Sequence, residues 1–231
     1  MPKKESKKKN KRIEIKETKS GADHLCMEQK LKEQIETPMV QLAYAYAMDI
    51  IQAKLRMIGA DLAEQNNRQV IRSMTARIKG TDSIIKKLIR KGRDVTFTMA
   101  VETLNDIAGV RVVCYFCDDI YQVADKIRKQ KDLTVIKEKD YVKMPKKSGY
   151  QSVHLIVGIP VTYGADTKEI RAEIQIRSFA MDYWAELDTQ MCYKKNAGEI
   201  ENVEREIRDY SDVIAKVDNK MLELRKRIER M

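Results

Sequence analysis

The stretch KEIRAEIQIR at residues 168–177 decides the fold. Aliphatic and polar side chains alternate strictly along it. The aliphatic set is Ile170, Ala172, Ile174 and Ile176, and the polar set is Arg171, Glu173, Gln175 and Arg177. Because successive side chains of a β-strand point to opposite faces, this period of two predicts a strand with one face in the core. In an ordinary half-buried strand the other face is simply solvated, whereas in some proteins such a polar face lines a functional site, and the spacing leaves both open.

Other segments extend this strand into a sheet. SVHLIVGIPV at 152–161 predicts a strand, and the turn at 163–166 makes the two a hairpin. The β-branched and aromatic run GVRVVCYF at 109–116 predicts a buried strand, and 133–137 predicts another. We predict helices at 38–66, 69–90, 119–129 and 179–193, and from 199 to the end. The order of elements predicts an α+β fold, a mixed β-sheet flanked by helices.

Two helix boundaries have recognisable signals. Thr37 precedes Pro38, which predicts a threonine cap with proline at the first helical position. The second predicted helix, 69–90, ends before Gly92, a common residue after a helix. Gly80-Thr81-Asp82 is a candidate interruption at which that helix restarts.

Charge is concentrated at the N-terminus. The formal net charge is +10, and residues 1–20 contain nine Lys/Arg and three Asp/Glu, a local net charge of +6. We expect residues 1–24 to form a disordered basic leader, with RNA binding through phosphate neutralisation as the alternative. The leader has no apolar signal-peptide core and the sequence has no apolar run of 18 residues, so we expect a cytoplasmic protein without a membrane span.

The cysteines do not suggest a metal site. Cys114 and Cys117 have a C-x-x-C spacing, but neither Cys26 nor Cys192 supplies the second pair that structural zinc needs. We expect buried thiols.

Two carboxylates are candidate metal ligands. Asp106 precedes the strand at 109–116, and Glu173 lies on the polar face of the hairpin strand. Mg²⁺ takes one or two carboxylates together with substrate phosphates, so the pair can hold it if the two strands are neighbours. Spacing alone does not bring them together.

A basic face lies upstream of Asp106. Ser83, Lys87 and Arg90 share one side of the predicted helix, because residues three and four apart are helix neighbours. Such a face holds phosphates in some proteins and is only solvated in most.

A second basic stretch, KKSGYQSVH at 146–154, combines lysines and a glycine with Tyr150 and His154. Lysine neutralises phosphate, glycine permits a turn and tyrosine offers a flat stacking surface, so the stretch suits a nucleotide. A solvated hairpin turn is the plain alternative.

Five motifs, in order along the chain, carry a family resemblance. They are RIKGTDS at 77–83, NDIAGVR at 105–111, SGYQSVH at 148–154, EIQIR at 173–177 and AMDYWA at 180–185. Together they resemble the synthetase domain of RelA/SpoT-type (p)ppGpp synthetases, and the short chain resembles the small alarmone synthetases. The resemblance implies a nucleotidyltransferase-like fold and transfer of pyrophosphate from ATP to the ribose 3′-hydroxyl of GDP or GTP, in the stringent response.

The resemblance also implies a role for each matched residue. Asp106 and Glu173 would be catalytic and would hold Mg²⁺, and Gln175 would help place the acceptor. Binding of ATP is implied for Arg77, Lys79, Ser83, Lys87, Arg90 and Arg111, with the two arginines Arg77 and Arg111 flanking adenine. Binding of GDP or GTP is implied for Lys146, Tyr150, His154 and Gln175, with Tyr150 stacked on guanine.

The chain departs from the family pattern at some positions. Gln151 stands where arginine is frequent, Asp188-Thr189 stand where Glu-His is frequent, and Asp182 stands where relatives have Asp or Asn. With His24 and His154 as its two histidines, the chain lacks ligands for the hydrolase domain of bifunctional relatives, so we expect synthesis without hydrolysis.

Two other functions compete with this interpretation. One is a non-catalytic RNA-binding protein that uses the basic leader and a tyrosine platform. A groove with two carboxylates gives an RNA-binding surface no advantage, which favours the enzyme. The other is a nucleotidyltransferase that moves a nucleotide instead of pyrophosphate. A single-stranded RNA or an alarmone as regulator is left open.

The C-terminal helix has a narrow apolar seam. Its members are Val203, Ile207, Tyr210, Ile214, Val217, Met221, Leu224 and Ile228, a 4-3-4-3 spacing typical of helix pairing. The partner is the same helix of another copy or the helix at 38–66, and packing on its own domain is the alternative. We therefore divide the chain into a leader (1–24), a synthetase domain (25–198) and an oligomerisation helix (199–231), and with the family resemblance we expect a homotetramer.

Overall fold

The computed structural model describes residues 25–163, 165–192 and 200–231. Its strands are β1 (Ile71–Ile78), β2 (Ala108–Cys114), β3 (Thr134–Asp140), β4 (Val153–Tyr163) and β5 (Asp166–Ser178). Its helices are α1 (25–35), α2 (Pro38–Asn66), α3 (Thr81–Arg90), α4 (Phe97–Thr103), α5 (Asp119–Arg128), α6 (Phe179–Cys192) and α7 (Ile200–Ile228). The predicted α+β fold, a mixed sheet flanked by helices, is confirmed. The predicted basic leader, residues 1–24, lies outside the described residues.

The strands form one sheet in the order β1-β2-β5-β4-β3. β2 and β5 are parallel, and the other neighbouring pairs are antiparallel. The predicted hairpin is the β4–β5 pair, which stays in register from Val153↔Ile176 to Tyr163↔Asp166. β5 is the central strand, so its aliphatic face is fully covered while its polar face remains available for a site.

The aliphatic face of the sheet packs on α2 and α5. The apolar residues of α2 recur every three or four positions, and Ile51, Leu55 and Leu62 are almost fully buried against the sheet. Each such side chain contributes about 1.5–3 kcal/mol through burial. On α5, Ile120 and Ile127 are buried in the same core. One face of the sheet is thereby closed, and the polar face is left for function.

The predicted start of α2 is right in position and wrong in mechanism. The helix begins at Pro38, but the Thr37 side chain makes no cap bond to it. The Thr37 hydroxyl donates instead to the Glu33 carbonyl, 3.0 Å away in the preceding helix. A local helix-terminal bond therefore competes successfully with the expected cap.

The predicted helix at 69–90 is wrong in its first half. Residues 71–78 are strand β1, and only α3, beginning at Thr81, is helical. Arginine, methionine and alanine in IRSMTARI favour a helix by propensity. Pairing with β2 along its whole length overrides that preference, since this pairing is non-local and invisible in the segment itself. The predicted restart at Gly80-Thr81-Asp82 is confirmed.

Helix α7 packs on α6 with a face that includes polar residues. Ile207, Ser211 and Asp218 are buried on this inner face. The predicted seam is therefore divided between two sides of the helix: Ile207 lies inside, whereas Tyr210, Val217, Met221, Leu224 and Ile228 are exposed, as is Val213, an apolar residue that lies off the predicted seam. We call these six exposed residues the outer stripe of α7.

Two smaller predictions concern membranes and cysteines. Among the described helices, none is long and apolar enough to cross a membrane. Cys114 is buried in β2 and Cys117 is partly buried after it, while no group of three metal-ligating side chains occurs in the described parts of the chain.

Candidate active site

Two rungs of the sheet, separated by the rung of Ala76, Val110 and Ile174, bring the polar residues together. In one rung, Arg77 of β1 lies opposite Gly109 of β2, which lies opposite Glu173 of β5. The other rung runs Thr75, Arg111, Gln175, His154 and Lys139 across all five strands. Because alternate residues share a face, these side chains lie on the polar face of the sheet. Residues that are up to 100 positions apart in sequence thus line one surface.

Glu173 lies at the centre of a hydrogen-bond network. His154 Nδ1 is 2.9 Å from its Oε1, and Gln175 Nε2 donates to its Oε2 over 2.8 Å. The other ring nitrogen of His154, Nε2, is 2.9 Å from the Tyr150 hydroxyl. Burial alone would raise the pKa of Glu173, but its contacts with His154 and Gln175 prevail and lower it. The carboxyl group is therefore ionised at neutral pH, as a metal ligand or a general base must be.

Asp106 is held by two lysines. Lys79 and Lys87 donate to its Oδ2 over 2.8 and 2.6 Å. Burial raises the pKa of Asp106, and the two ammonium groups outweigh that effect, so the pKa lies below its usual value. Asp106 is close enough to Glu173 for its charge to raise the pKa of Glu173. The two carboxylates, which spacing alone did not bring together, are therefore near each other in the fold.

The donor set fits a magnesium ion. Asp106 Oδ1 is buried, and it has no hydrogen-bond partner within the described residues. An orphaned, ionised carboxylate oxygen near a second ionised carboxylate is the hard oxygen donor that Mg²⁺ requires, with substrate phosphates completing the coordination.

A pocket of about 200 Å³ opens beside the carboxylates. Arg77 and Arg111 line it together with Gln175 and with backbone-exposing Gly109. Planar guanidinium groups stack on aromatic rings, so the pocket suits a flat base.

Helix α3 borders the same side. Its Lys87 reaches Asp106, whereas Ser83 and Arg90 are exposed along the helix. The predicted common face of Ser83, Lys87 and Arg90 is consistent with α3, which spans all three. Only Lys87 of this group contacts the carboxylates, and the other two extend the basic surface outward.

The lysine–tyrosine loop (residues 146–150) covers the other end of the network. The Lys146 ammonium lies 4.5 Å from the centre of the Tyr150 ring and 4.7 Å from that of Tyr141. Tyr141 meets the His154 ring edge-on, with the ring centres 5.2 Å apart. Gly149 has a φ of 89°, which a side chain would strain. A cation and a flat ring are thus held side by side.

Sequence reasoning assigned no role to Arg177, which joins this network from the end of β5. One of its terminal nitrogens donates to the Tyr150 hydroxyl over 2.9 Å and to Gln175 Oε1 over 3.0 Å. The other donates to Asp182 Oδ1 over 3.2 Å. The signal was present, because Arg177 continues the polar alternation of Glu173 and Gln175. Tyr141 carried no comparable signal, since its partners are brought to it by the fold.

Comparisons with known proteins agree with this geometry. Residues 76–198 match the model of a region found in RelA / SpoT proteins. The chain is 36% identical to GTP pyrophosphokinase YwaC and 33% identical to GTP pyrophosphokinase YjbM, both of Bacillus subtilis. These alignments cover 81% and 80% of this chain, and 90% and 87% of the relatives.

Solved structures extend the likeness to three dimensions. Small alarmone synthetase 1 from Bacillus subtilis, bound to its product pppGpp, superposes with a TM-score of 0.73 at 33% identity. That match covers 81% of this chain and 95% of the other. Small alarmone synthetase 2 from the same organism gives 0.71 at 36% identity, covering 80% and 97%. None of these relatives supports the alternative of a non-catalytic RNA-binding protein. The ordered motifs, the sheet and the paired carboxylates therefore have one explanation: this chain belongs to the RelA/SpoT family, among its small alarmone synthetases.

Proposed function

We propose that this chain transfers a pyrophosphoryl group from ATP to the ribose 3′-hydroxyl of GDP or GTP, giving AMP and ppGpp or pppGpp. One observation carries the proposal. Glu173 contacts Gln175, which lines the arginine-lined pocket, and His154, which contacts the lysine–tyrosine loop, and a second ionised carboxylate, Asp106, lies near it. A site with two nucleotide-sized flanks and a reactive centre between them suits transfer from one nucleotide to another.

The ATP side would be the pocket and the basic residues next to it. Arg77 and Arg111 would hold adenine between their guanidinium planes. Lys79 and Lys87, which contact Asp106, lie within reach of phosphates bound there. Ser83 and Arg90 extend the phosphate-binding surface along α3.

The acceptor side would be the lysine–tyrosine loop. Tyr150 would stack on guanine, and Lys146, next to that ring, would neutralise the nucleotide's phosphates. His154 and Gln175 both contact Glu173, so they connect the bound acceptor to the carboxylate.

The transfer itself needs an in-line attack. The 3′-oxygen of the acceptor attacks the β-phosphorus of ATP, and the bond from that phosphorus to the α–β bridging oxygen breaks, so that AMP leaves. Glu173, ionised and oriented by His154 and Gln175, accepts the hydroxyl proton. Mg²⁺ held by Asp106 and Glu173 would neutralise charge on the ATP phosphates. Lys79 and Lys87 add positive charge at the same place.

The test is incubation with ATP, Mg²⁺ and GDP, with the products separated by anion exchange. We expect AMP and ppGpp in equal amounts. Glu173→Gln keeps the shape of the side chain but cannot accept the proton, so turnover should fall at least ~100-fold. The nearby exposed variant Glu169→Gln on the same strand should behave as wild type. Near-normal synthesis by Glu173→Gln would remove its assignment as base, and the absence of ppGpp from the wild-type reaction would remove the function.

The assembly state and regulation are further proposals. The outer stripe of α7 supports association of copies, and we propose a homotetramer. The basic run at residues 1–20 supports an anionic regulator, either single-stranded RNA or an alarmone. We propose the cytoplasm as the location of the activity, since its nucleotide substrates are there.

A further inference from the structure

Helix α7 contacts the lysine–tyrosine loop through a buried hydrogen-bonded pair. The Ser211 hydroxyl donates to the Gly149 carbonyl over 2.6 Å. Ser211 and Gly149 are both buried, although 62 residues separate them. A buried hydrogen bond between distant segments fixes one against the other, because leaving either group unpaired costs free energy.

Gly149 can lie this close to Ser211 because glycine has no side chain. A Cβ placed on Gly149 would lie 2.7 Å from the Ser211 Cβ and 3.0 Å from its hydroxyl oxygen. The backbone of the loop is thus seated directly on the helix. Tyr150, the next residue, takes its position from this seat.

A second contact holds α7 at the same end. The indole nitrogen of Trp184 in α6 donates to the Ile207 carbonyl over 2.9 Å. Trp184, Ala185 and Ile207 form a small buried cluster, and Tyr150 packs against it. The ring of Tyr150 therefore rests on α6 and α7, while its hydroxyl faces the network around Glu173.

These contacts come from outside the segment that matches the family. The matched region is 76–198, and Ser211 and Ile207 lie beyond it. No role in the reaction follows for them from the motifs.

We propose that Ser211 is a positioning residue for the guanosine-nucleotide site, acting through the Gly149 carbonyl on Tyr150. This inference rests on the proposed function, because it presumes that Tyr150 binds the acceptor. It predicts that a change in α7 alters acceptor binding selectively and leaves the ATP side unchanged.

The test compares Ser211→Ala with Asp212→Ala. The two residues are neighbours on α7, but Ser211 is buried and Asp212 is exposed. A hydrogen bond contributes about 0.5–1.5 kcal/mol, so Ser211→Ala should raise the KM for GDP about 2- to 10-fold. The KM for ATP and the kcat should stay within a factor of two, and Asp212→Ala should match wild type. Calorimetric titration with GDP should show the same loss of affinity without turnover.

Further variants separate positioning from damage to the fold. Ser211→Thr keeps a hydroxyl and should retain an affinity for GDP closer to wild type. Gly149→Ala forces the same contact apart and should raise the KM for GDP as well. Emission from Trp184, the one tryptophan of the chain, reports whether the α6–α7 junction is intact.

The outcomes are distinct. An unchanged KM for GDP in Ser211→Ala, with an active wild-type enzyme, would overturn the inference and leave the proposed function standing. Equal weakening of ATP and GDP would also overturn it, as would a red-shifted Trp184 emission that accounts for the loss. A wild-type enzyme that makes no ppGpp would instead refute the function on which the inference rests.

Discussion

Tyr150 uses both ends of its side chain. Its ring contacts the Lys146 ammonium and the cluster formed by α6 and α7, and its hydroxyl lies between His154 and Arg177. The sequence predicted only the ring as important. In the structure, the hydroxyl connects the lysine–tyrosine loop to His154, the partner of Glu173, so we expect the two ends of the side chain to serve different steps of the proposed reaction.

The first prediction separates these two ends. Tyr150→Ala removes a stacking surface worth roughly 1–3 kcal/mol, so the KM for GDP should rise about 5- to 150-fold while the KM for ATP hardly changes. Tyr150→Phe keeps the ring but loses the bonds to His154 and Arg177, so we expect kcat to fall about 3- to 10-fold. Steady-state kinetics with each substrate varied in turn measures both. A Tyr150→Phe enzyme with unchanged kcat would show that the hydroxyl is dispensable, and a matching rise in the KM for ATP would move Tyr150 out of the acceptor site.

At the residue scale, the place of a side chain in the fold was predictable where the side chain belongs to a periodic pattern or directly precedes one. Glu173 and Gln175 follow from the alternation of β5, and Asp106 from its place before β2. The pairing of Asp106 with Lys79 and Lys87 did not follow, because it depends on how α3 is set against β2. Arg177 was visible on the same polar face, but its three partners come from β5, α6 and the lysine–tyrosine loop and could not be read from spacing.

At the scale of elements, α7 carries a buried carboxylate into its contact with the sheet. Asp218 is almost fully buried and accepts a hydrogen bond from the Ser178 hydroxyl at the end of β5. Burial, together with the nearby charge of Asp118, raises the pKa of Asp218 despite the bond from Ser178. The charged form is therefore disfavoured in the folded protein. Packing of α7 is most stable where Asp218 is protonated.

The second prediction follows from the sign of that shift. A carboxyl group whose pKa is higher in the folded than in the unfolded protein stabilises the fold when it is protonated. This stabilisation is complete at pH values below the pKa of the unfolded state, and it is lost as the pH rises through the pKa of the folded state. Asp218→Asn cannot ionise, and its side-chain oxygen can still accept the hydrogen bond from Ser178. The variant should therefore melt at a higher temperature than wild type at pH 7, by ~2–4 °C for each kcal/mol that the substitution adds to the free energy of unfolding. The difference should shrink toward pH 4. Thermal unfolding of both proteins between pH 4 and 8 provides the measurement, with exposed Asp212→Asn as control. A lower melting temperature for Asp218→Asn at pH 7 would contradict the prediction.

The prediction of a helix was wrong at β1 because a non-local contact decides the structure there. Its residues favour a helix, and what makes them a strand is the neighbouring β2, 30 or more positions later in the chain. The short helix α4 and the helix at 25–35 were not predicted either. In contrast, α2, α5, β2 and the β4–β5 hairpin have strong internal periodicity or turn signals, and all are present.

At the scale of the whole molecule, α7 has two unlike sides. The inner side includes the polar residues Ser211 and Asp218, and both make hydrogen bonds to other parts of this chain. The outer stripe leaves six apolar side chains in contact with solvent, and Ile228 is 60% exposed. An apolar row along about five turns of a surface helix is typical of an association surface, since isolated exposed apolar residues are common but continuous rows are not.

The third prediction tests this surface. Leu224→Lys places a charge in the C-terminal half of the outer stripe, and each Leu or Met buried there would contribute roughly 1.5–3 kcal/mol, so the assembly should dissociate. Glu223→Lys introduces the same side chain one position away, off the stripe, and should leave the assembly intact. Light scattering during size exclusion measures the mass. A wild-type protein of monomeric mass at micromolar concentration would exclude the homotetramer.

The pair of lysines on Asp106 has a consequence for the order in which the reaction components arrive. The two ammonium groups already compensate the negative charge of this carboxylate, so a lone divalent cation finds little uncompensated charge there. The phosphates of ATP compete with Asp106 for the two ammonium groups. When the lysines bind these phosphates, the negative charge of Asp106 is no longer compensated, and a cation bound to the same phosphates can take their place. The cation and ATP should therefore enter as one complex. Calorimetry with Mg²⁺ alone should show no saturable binding at a few millimolar, whereas Lys87→Met should gain it; tight binding of Mg²⁺ to the unmodified protein would rule out this order of entry.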